Sequence, residues 1–79
     1  MRVKVRYFAL LRDAAGTAAE DVEGGFRTAA DLWEHLRGQH VFPLGPAELR
    51  VSVNADYVPF TTVLAEGDEV AFIPPVSGG

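Results

Sequence analysis

The residues that could do chemistry lie at the end of the chain, which closes with Gly78 and Gly79. A terminal α-carboxyl group has a pKa of about 3.5, so it is ionised and unreactive at neutral pH. Once a partner adenylates it with ATP, the Gly79 carbonyl carbon becomes open to a nucleophile. Both glycines lack a Cβ, so they can thread a narrow channel in an enzyme. The sequence therefore predicts a carrier whose reactive group is Gly79 and which binds no cofactor itself.

Two prolines precede this end and separate it from the last strand. Pro74 and Pro75 cannot donate hydrogen bonds to a sheet, so the sheet must end before them. They favour an extended chain, from which Val76 to Gly79 could project about 13 Å. A frayed terminus is the alternative for an isolated Gly-Gly ending. We predict a folded domain over residues 1–75 and a flexible tail over residues 76–79.

The remaining side chains indicate a substrate of other enzymes. The chain has no cysteine, which excludes disulfides, thiolate metal sites and a cysteine nucleophile. His35 and His40 have no third ligand, so we expect no metal site and place both on a solvent-facing helix surface. Ser77 has no neighbouring base. A glycine-rich phosphate loop with a lysine is also missing, so a separate enzyme must carry out the activation.

Charge and hydropathy narrow the range of partners. The net charge of −4 argues against a nucleic-acid partner, and no apolar run approaches the roughly 20 residues that span a bilayer. The alternating start is unlike a signal sequence, so we predict a cytoplasmic protein without a membrane partner. Arg2, Lys4 and Arg6 share one strand face. A solvated sheet face is the favoured interpretation, and contact with an acidic partner is the alternative.

The first half of the chain changes from strand periodicity to helix periodicity. Residues 2–11 alternate as a half-buried strand, residues 12–16 suit a turn, and residues 17–23 suit a second strand paired as a hairpin. Between Phe26 and His40 the apolar residues follow helical spacing and include Trp33, which we expect in the core. Thr28 is the predicted N-cap of this helix, and Gly38 is its predicted end.

The second half is predicted to supply three more strands. These are residues 49–54, residues 57–60 at a sheet edge because of Pro59, and residues 69–73. One amphipathic helix can cover one face of a mixed sheet. The fold class is therefore α+β, a β-grasp or ubiquitin-like roll with one main helix. In this fold the first and last strands lie parallel at the centre.

Phe8 and Ile73 are the candidate partner-binding side chains on the domain. Strand alternation places Phe8 opposite the buried face of the first strand and Ile73 opposite the buried face of the last. Adjacent strands would bring them together as an exposed apolar patch at the base of the tail, which often marks a partner surface. The alternative is that a twist or bulge turns Phe8 into the core.

The segment from Asp68 to Gly79, which reads DEVAFIPPVSGG, closely resembles the small subunit of molybdopterin synthase, the MoaD-type sulfur carriers. The resemblance extends over the whole chain. It also includes Tyr7-Phe8-Ala9, Ala15-Gly16-Thr17 and Val53-Asn54. The carriers of the thiamine pathway share the Gly-Gly end but are usually shorter and lack the Pro-Pro-Val-Ser spacer.

The resemblance implies a non-catalytic, sulfur-carrying subunit of a two-subunit sulfurtransferase. An E1-like adenylyltransferase would adenylate Gly79, and a sulfur donor system would convert it to a thiocarboxylate. The large subunit of molybdopterin synthase would then bind the segment from Ile73 to Gly78 and pass the sulfur to cyclic pyranopterin monophosphate. The implied assembly is a heterotetramer. The alternatives are a ubiquitin-like modifier joined to lysines, a carrier of the thiamine type, and an interaction module with an idle tail.

Overall fold

The computed structural model describes residues 1–75, so the predictions for Val76, Ser77, Gly78 and Gly79 lie outside the described residues. Five strands and two α-helices follow one another along this part of the chain, with a single 3₁₀ turn between the second helix and the third strand. Their bounds are β1 (Arg2–Tyr7), α1 (Leu10–Ala15), β2 (Ala19–Glu23), α2 (Ala29–Arg37), the 3₁₀ turn (Pro46–Glu48), β3 (Arg50–Val53), β4 (Asp56–Val58) and β5 (Glu69–Ile73).

The strands form one mixed sheet in the order β2-β1-β5-β3-β4. The first and last strands pair in parallel, and the other neighbours pair antiparallel. The predicted β-grasp fold, with β1 and β5 adjacent at the centre, is confirmed. β4 is at an edge, as predicted, although it ends at Val58, so Pro59 follows the strand and does not lie within it.

One face of the sheet carries the core, because apolar residues alternate with polar ones along the strands. Val3, Val5 and Tyr7 of β1 are buried, while the residues between them face outward. α2 packs its apolar stripe, including Trp33, against this face, so the prediction of Trp33 as core is confirmed. The remaining core residues are Leu11, Val22, Phe26, Ala29, Leu32, Leu36, Leu49, Val51, Leu64, Val70 and Phe72.

The start of α2 is fixed by a reciprocal cap. The hydroxyl of Thr28 accepts a hydrogen bond from the Asp31 backbone N–H at 3.1 Å, and Asp31 Oδ2 accepts from the backbone N–H groups of Thr28 and Arg27 at 3.2 Å each. The backbone hydrogen bond from Thr28 contributes most and the one from Arg27 contributes next, and together they hold the pKa of Asp31 below its usual value. Gly38 ends the helix, and both predicted termini are confirmed.

The segment after β1 differs from the prediction. Residues 10–15 form the helix α1, where the sequence suggested a strand end followed by a turn. The Leu11 backbone N–H donates to the Phe8 carbonyl at 3.1 Å, and the Leu11 side chain is fully buried. The prediction was wrong because the chain must turn at Ala9 to bury Leu11. The strand alternation therefore ends at Phe8 and not at Leu11.

The two histidines also differ from the prediction of solvent-facing positions on the helix. His40 lies beyond α2, and its Nε2 is 2.8 Å from Glu20 Oε2, which also accepts a hydrogen bond from the Tyr7 hydroxyl at 2.6 Å. Burial, reinforced by Glu20, raises the pKa of Tyr7. His35 is half-buried, with its ring 5.5 Å from that of Phe26. Both histidines therefore help to pack the molecule.

Candidate interaction site at the base of the tail

The carboxyl ends of β1 and β5 lie side by side because these strands are parallel. Tyr7 pairs with Phe72 in the register, so Phe8 and Ile73 come next at the same end of the sheet. Phe8 is 44% exposed, and Ile73 is half-buried. The structure thus brings the two predicted patch residues to one end of the sheet and leaves Phe8 open to solvent, while their partner-binding role stays a prediction.

The base of this site is held firmly by the aromatic core directly beneath it. Phe72 has its ring centroid 5.0 Å from that of Trp33, and Trp33 stacks on Phe42 at 4.8 Å. Tyr7 packs on Phe42 at 5.7 Å. Because close-packed aromatic side chains resist displacement, the last residues of β5 form a rigid origin for the chain that follows.

The turn that follows Phe8 has an unusual backbone. Ala9 adopts φ 51° and ψ −125°, a conformation that glycine tolerates and other residues rarely adopt. The strained turn starts α1 and leaves Leu10, two residues after Phe8, 41% exposed. The sequence analysis missed Leu10 because it assigned this position to a strand. The adjacent leucines Leu10 and Leu11 were the available signal of an exposed apolar side chain, since a helix this short can bury only one of the two.

A concavity lies beside the exit of the chain. It has a volume of about 420 Å³ and is lined by Glu48, Arg50, Tyr57, Ile73, Pro74 and Pro75. Of the two predicted prolines, Pro74 is buried and Pro75 is exposed.

Arg50 and Tyr57 are site residues that the sequence analysis did not identify. The signal was strand alternation: the neighbouring Val51 and Val58 face the core, so Arg50 and Tyr57 must face the open side. The register then places Arg50 opposite Ile73, at the base of the tail.

The basic row on β1 is balanced by acids on the neighbouring strands. Arg6 forms an ion pair with Glu69 at 3.4 Å, with both side chains about half exposed. Lys4 lies between Asp21 of β2 and Glu69 of β5 in the register. Exposed ion pairs contribute little to stability but do neutralise charge. This arrangement favours a solvated sheet face over an acid-binding surface at this row.

Two features are absent from residues 1–75, a cluster of metal-ligating side chains and a helix that could span a membrane. No group of three or more His, Cys, Asp or Glu side chains in this range is arranged to hold a metal ion. No helix in the same range is long and apolar enough to cross a membrane.

Comparisons with known proteins agree with the fold and with the family resemblance. The model of the ThiS family matches residues 5–79. The molybdopterin synthase sulfur carrier subunit of Escherichia coli K12 is 40% identical over 98% of this chain and 99% of its own length. That similarity confirms the resemblance noted in the sequence.

Two solved structures are similar over almost the whole chain. A putative molybdopterin converting factor subunit 1 from Pyrococcus furiosus has a TM-score of 0.79 at 35% identity, covering 96% of this chain and 99% of its own. SAMP1, a small archaeal modifier protein from Haloferax volcanii, has a TM-score of 0.83 at 28% identity, covering both chains fully. From its sequence and its ubiquitin-like β-grasp structure, the chain belongs to the ThiS family.

Proposed function

We propose that this chain is the sulfur carrier subunit of a molybdopterin synthase and that the Gly79 carboxyl group carries the sulfur. The observation that supports this most strongly is the full-length similarity to the carrier subunit of Escherichia coli, at 40% identity. The Gly-Gly end after Pro74 and Pro75 provides the chemical group that such a carrier needs.

The chemistry requires two steps carried out by partners. An E1-like adenylyltransferase lets the Gly79 carboxylate attack the α-phosphate of ATP, which forms an acyl-adenylate and releases pyrophosphate. A sulfur donor system then supplies a sulfur nucleophile that displaces AMP and leaves a thiocarboxylate. The large synthase subunit accepts this group, and its sulfur passes to cyclic pyranopterin monophosphate. The carrier itself contributes the activated chain end and the surface that presents it.

The described part of the molecule is suited to that presentation. The tail follows β5 after Pro74 and Pro75, and β5 has a neighbouring strand on each side, so the origin of the tail is fixed relative to the surrounding surface. Phe8 and Tyr57 are exposed on that surface, at 44% and 65%. Exposed aromatic side chains around an anchored chain exit are typical of a docking surface.

Reconstitution of the synthase tests the proposal. The carrier is loaded with its activating enzyme, ATP and a sulfide source, then mixed with purified large subunit and cyclic pyranopterin monophosphate. We expect one dithiolene product for every two carriers consumed and none from a chain lacking Gly78 and Gly79. Product formation by the shortened chain would contradict the assignment of Gly79. Failure of the loaded full-length chain would contradict the synthase assignment.

A protein modifier is the second candidate, supported by the similarity to SAMP1. In that case a lysine amine of a target attacks the acyl-adenylate and an isopeptide bond replaces the thiocarboxylate. Immunoblots of cells that produce the chain would show a ladder of larger conjugates that disappears when Gly79 is deleted. A single free band would favour the carrier.

A sulfur carrier of the thiamine type is a third candidate. Loss of thiamine synthesis in cells from which the gene for this chain is deleted would indicate it.

A further inference from the structure

Among the described residues that line the concavity beside the chain exit, Arg50 is the one cationic side chain. It lies opposite Ile73 in the β3–β5 register, and its guanidinium carbon is 5.9 Å from the centroid of the Tyr57 ring. A guanidinium that lies within about 6 Å of an aromatic ring centroid is attracted by the ring and so loses less freedom when it binds an anion. The cation is therefore held at a defined place on the surface.

Within residues 1–75, no carboxylate pairs with Arg50. The ion pairs in this range join Arg6 to Glu69, Arg37 to Glu34 and His40 to Glu20. Glu48 lines the same concavity, but its Oε1 accepts a hydrogen bond from the Gly45 N–H at 3.4 Å. Among the described residues the guanidinium thus has no carboxylate partner, and we expect its donors to meet an external acceptor.

We propose that Arg50 binds a carboxylate side chain of the large synthase subunit and anchors that subunit beside the tail. The inference rests on the proposed function, because the occupant of the concavity is the protein that takes up the tail. Ile73, Pro75 and Tyr57 pack against apolar atoms around this carboxylate. Arg50 is then a residue that determines which partner docks and in what orientation.

Charge complementarity and position together select this occupant. The molecule carries a net charge of −4, so a carboxylate approaching most of its surface is repelled. Arg50 places a positive charge beside the Glu48 carboxylate at the point where the chain leaves the sheet, and we expect a protein that takes up the tail to lie over it. Apolar neighbours exclude water from the contact, which strengthens a bidentate pair between guanidinium and carboxylate.

Calorimetric titration of the full-length chain with purified large subunit tests the inference. Arg50→Gln is compared with Arg37→Gln, which removes the same charge from α2, outside the concavity lining. At low salt we expect binding about tenfold weaker for Arg50→Gln and within about twofold of wild type for Arg37→Gln. The difference in affinity between wild type and Arg50→Gln should narrow at about 0.5 M salt, because salt screens the attraction between the guanidinium and the carboxylate.

Two results would overturn the role of Arg50. One is equal affinity for the wild type and Arg50→Gln at low salt. The other is an equal loss at both salt concentrations, which would indicate packing of the arginine stem. If Arg50→Gln unfolds, Arg50→Lys takes its place, and we expect it to bind at least about threefold more weakly than wild type, because an ammonium cannot form the bidentate pair. An affinity equal to wild type would then overturn the role as well. Failure of the wild type to bind would contradict the proposed function together with this inference.

Discussion

Tyr7 of β1 lies directly beside Phe72 of β5, and each is the last buried side chain of its strand on the core face. One residue further on, Phe8 is exposed and Ile73 is half-buried. The boundary between core and candidate interface therefore runs across both central strands at the same level. Substitutions on either side of this boundary should separate effects on stability from effects on binding.

Phe8→Asp should weaken binding to the large synthase subunit without unfolding the domain. A charged group in the centre of an apolar contact is expected to lower affinity tenfold or more, since anchor side chains often contribute over about 1.4 kcal/mol. Because Phe8 is exposed, the free energy of unfolding should change by less than about 0.5 kcal/mol. Calorimetric titration and urea unfolding measure the two quantities.

Val63→Asp is the matched control for Phe8→Asp, because Val63 is 74% exposed and forms a bridge with Thr28 beside the start of α2. The affinity of Val63→Asp for the large synthase subunit should stay near that of the wild type. Equal losses in the two variants would mean that added negative charge, and not the Phe8 surface, reduces binding. A large loss of stability in Phe8→Asp would mean that this side chain belongs to the core.

Ala9→Gly should stabilise the domain. Ala9 adopts φ 51° and ψ −125°, where removing the Cβ relieves backbone strain of about 1 kcal/mol. For a domain of this size the melting temperature should rise by about 4–8 °C. Ala14→Gly, in the interior of α1, should instead lower the stability by about 0.5–1 kcal/mol. A loss of stability in Ala9→Gly would contradict the strained turn.

Asp31→Asn should lower the melting temperature at neutral pH, by an amount that shrinks in acid. The pKa of Asp31 is lowered in the folded protein by hydrogen bonds from the backbone of Thr28 and then of Arg27. A lowered folded pKa gives stability that is present above the unfolded value near 3.9 and is lost as the pH falls through the folded value. Thermal melts of both proteins between pH 7 and pH 2 measure the difference. A difference that does not change with pH would contradict the role of the charge.

The sequence predicted the elements whose signals are local and left out those that depend on distant contacts. α2 was found because Thr28 and Asp31 form a capping box and Gly38 ends the helix, all readable within one segment. β5 was found with its correct bounds from the alternation around Val70. The arrangement of β1 and β5 followed from the fold class, since a parallel central pair defines it.

The failures of prediction have a common physical cause. α1 has six residues, fewer than two turns, so its period could not be read against the strand that precedes it. The position of His40 depends on Glu20, twenty residues away in the sequence. Likewise, Arg50 became a site residue only when the register placed it opposite Ile73. Pairings between distant residues decide these positions, and a local pattern such as the alternation at Arg50 shows which face a side chain takes but not which residue lies opposite it.

The intact mass of the chain, produced together with its activating enzyme and sulfur donor, tests the central claim most directly. We predict a species heavier by the replacement of one oxygen with sulfur, assigned by fragmentation to Gly79. A chain with one residue added after Gly79 should fold normally and never show this species. Sulfur found at another residue, or none in a chain that supports molybdopterin synthesis, would contradict the account.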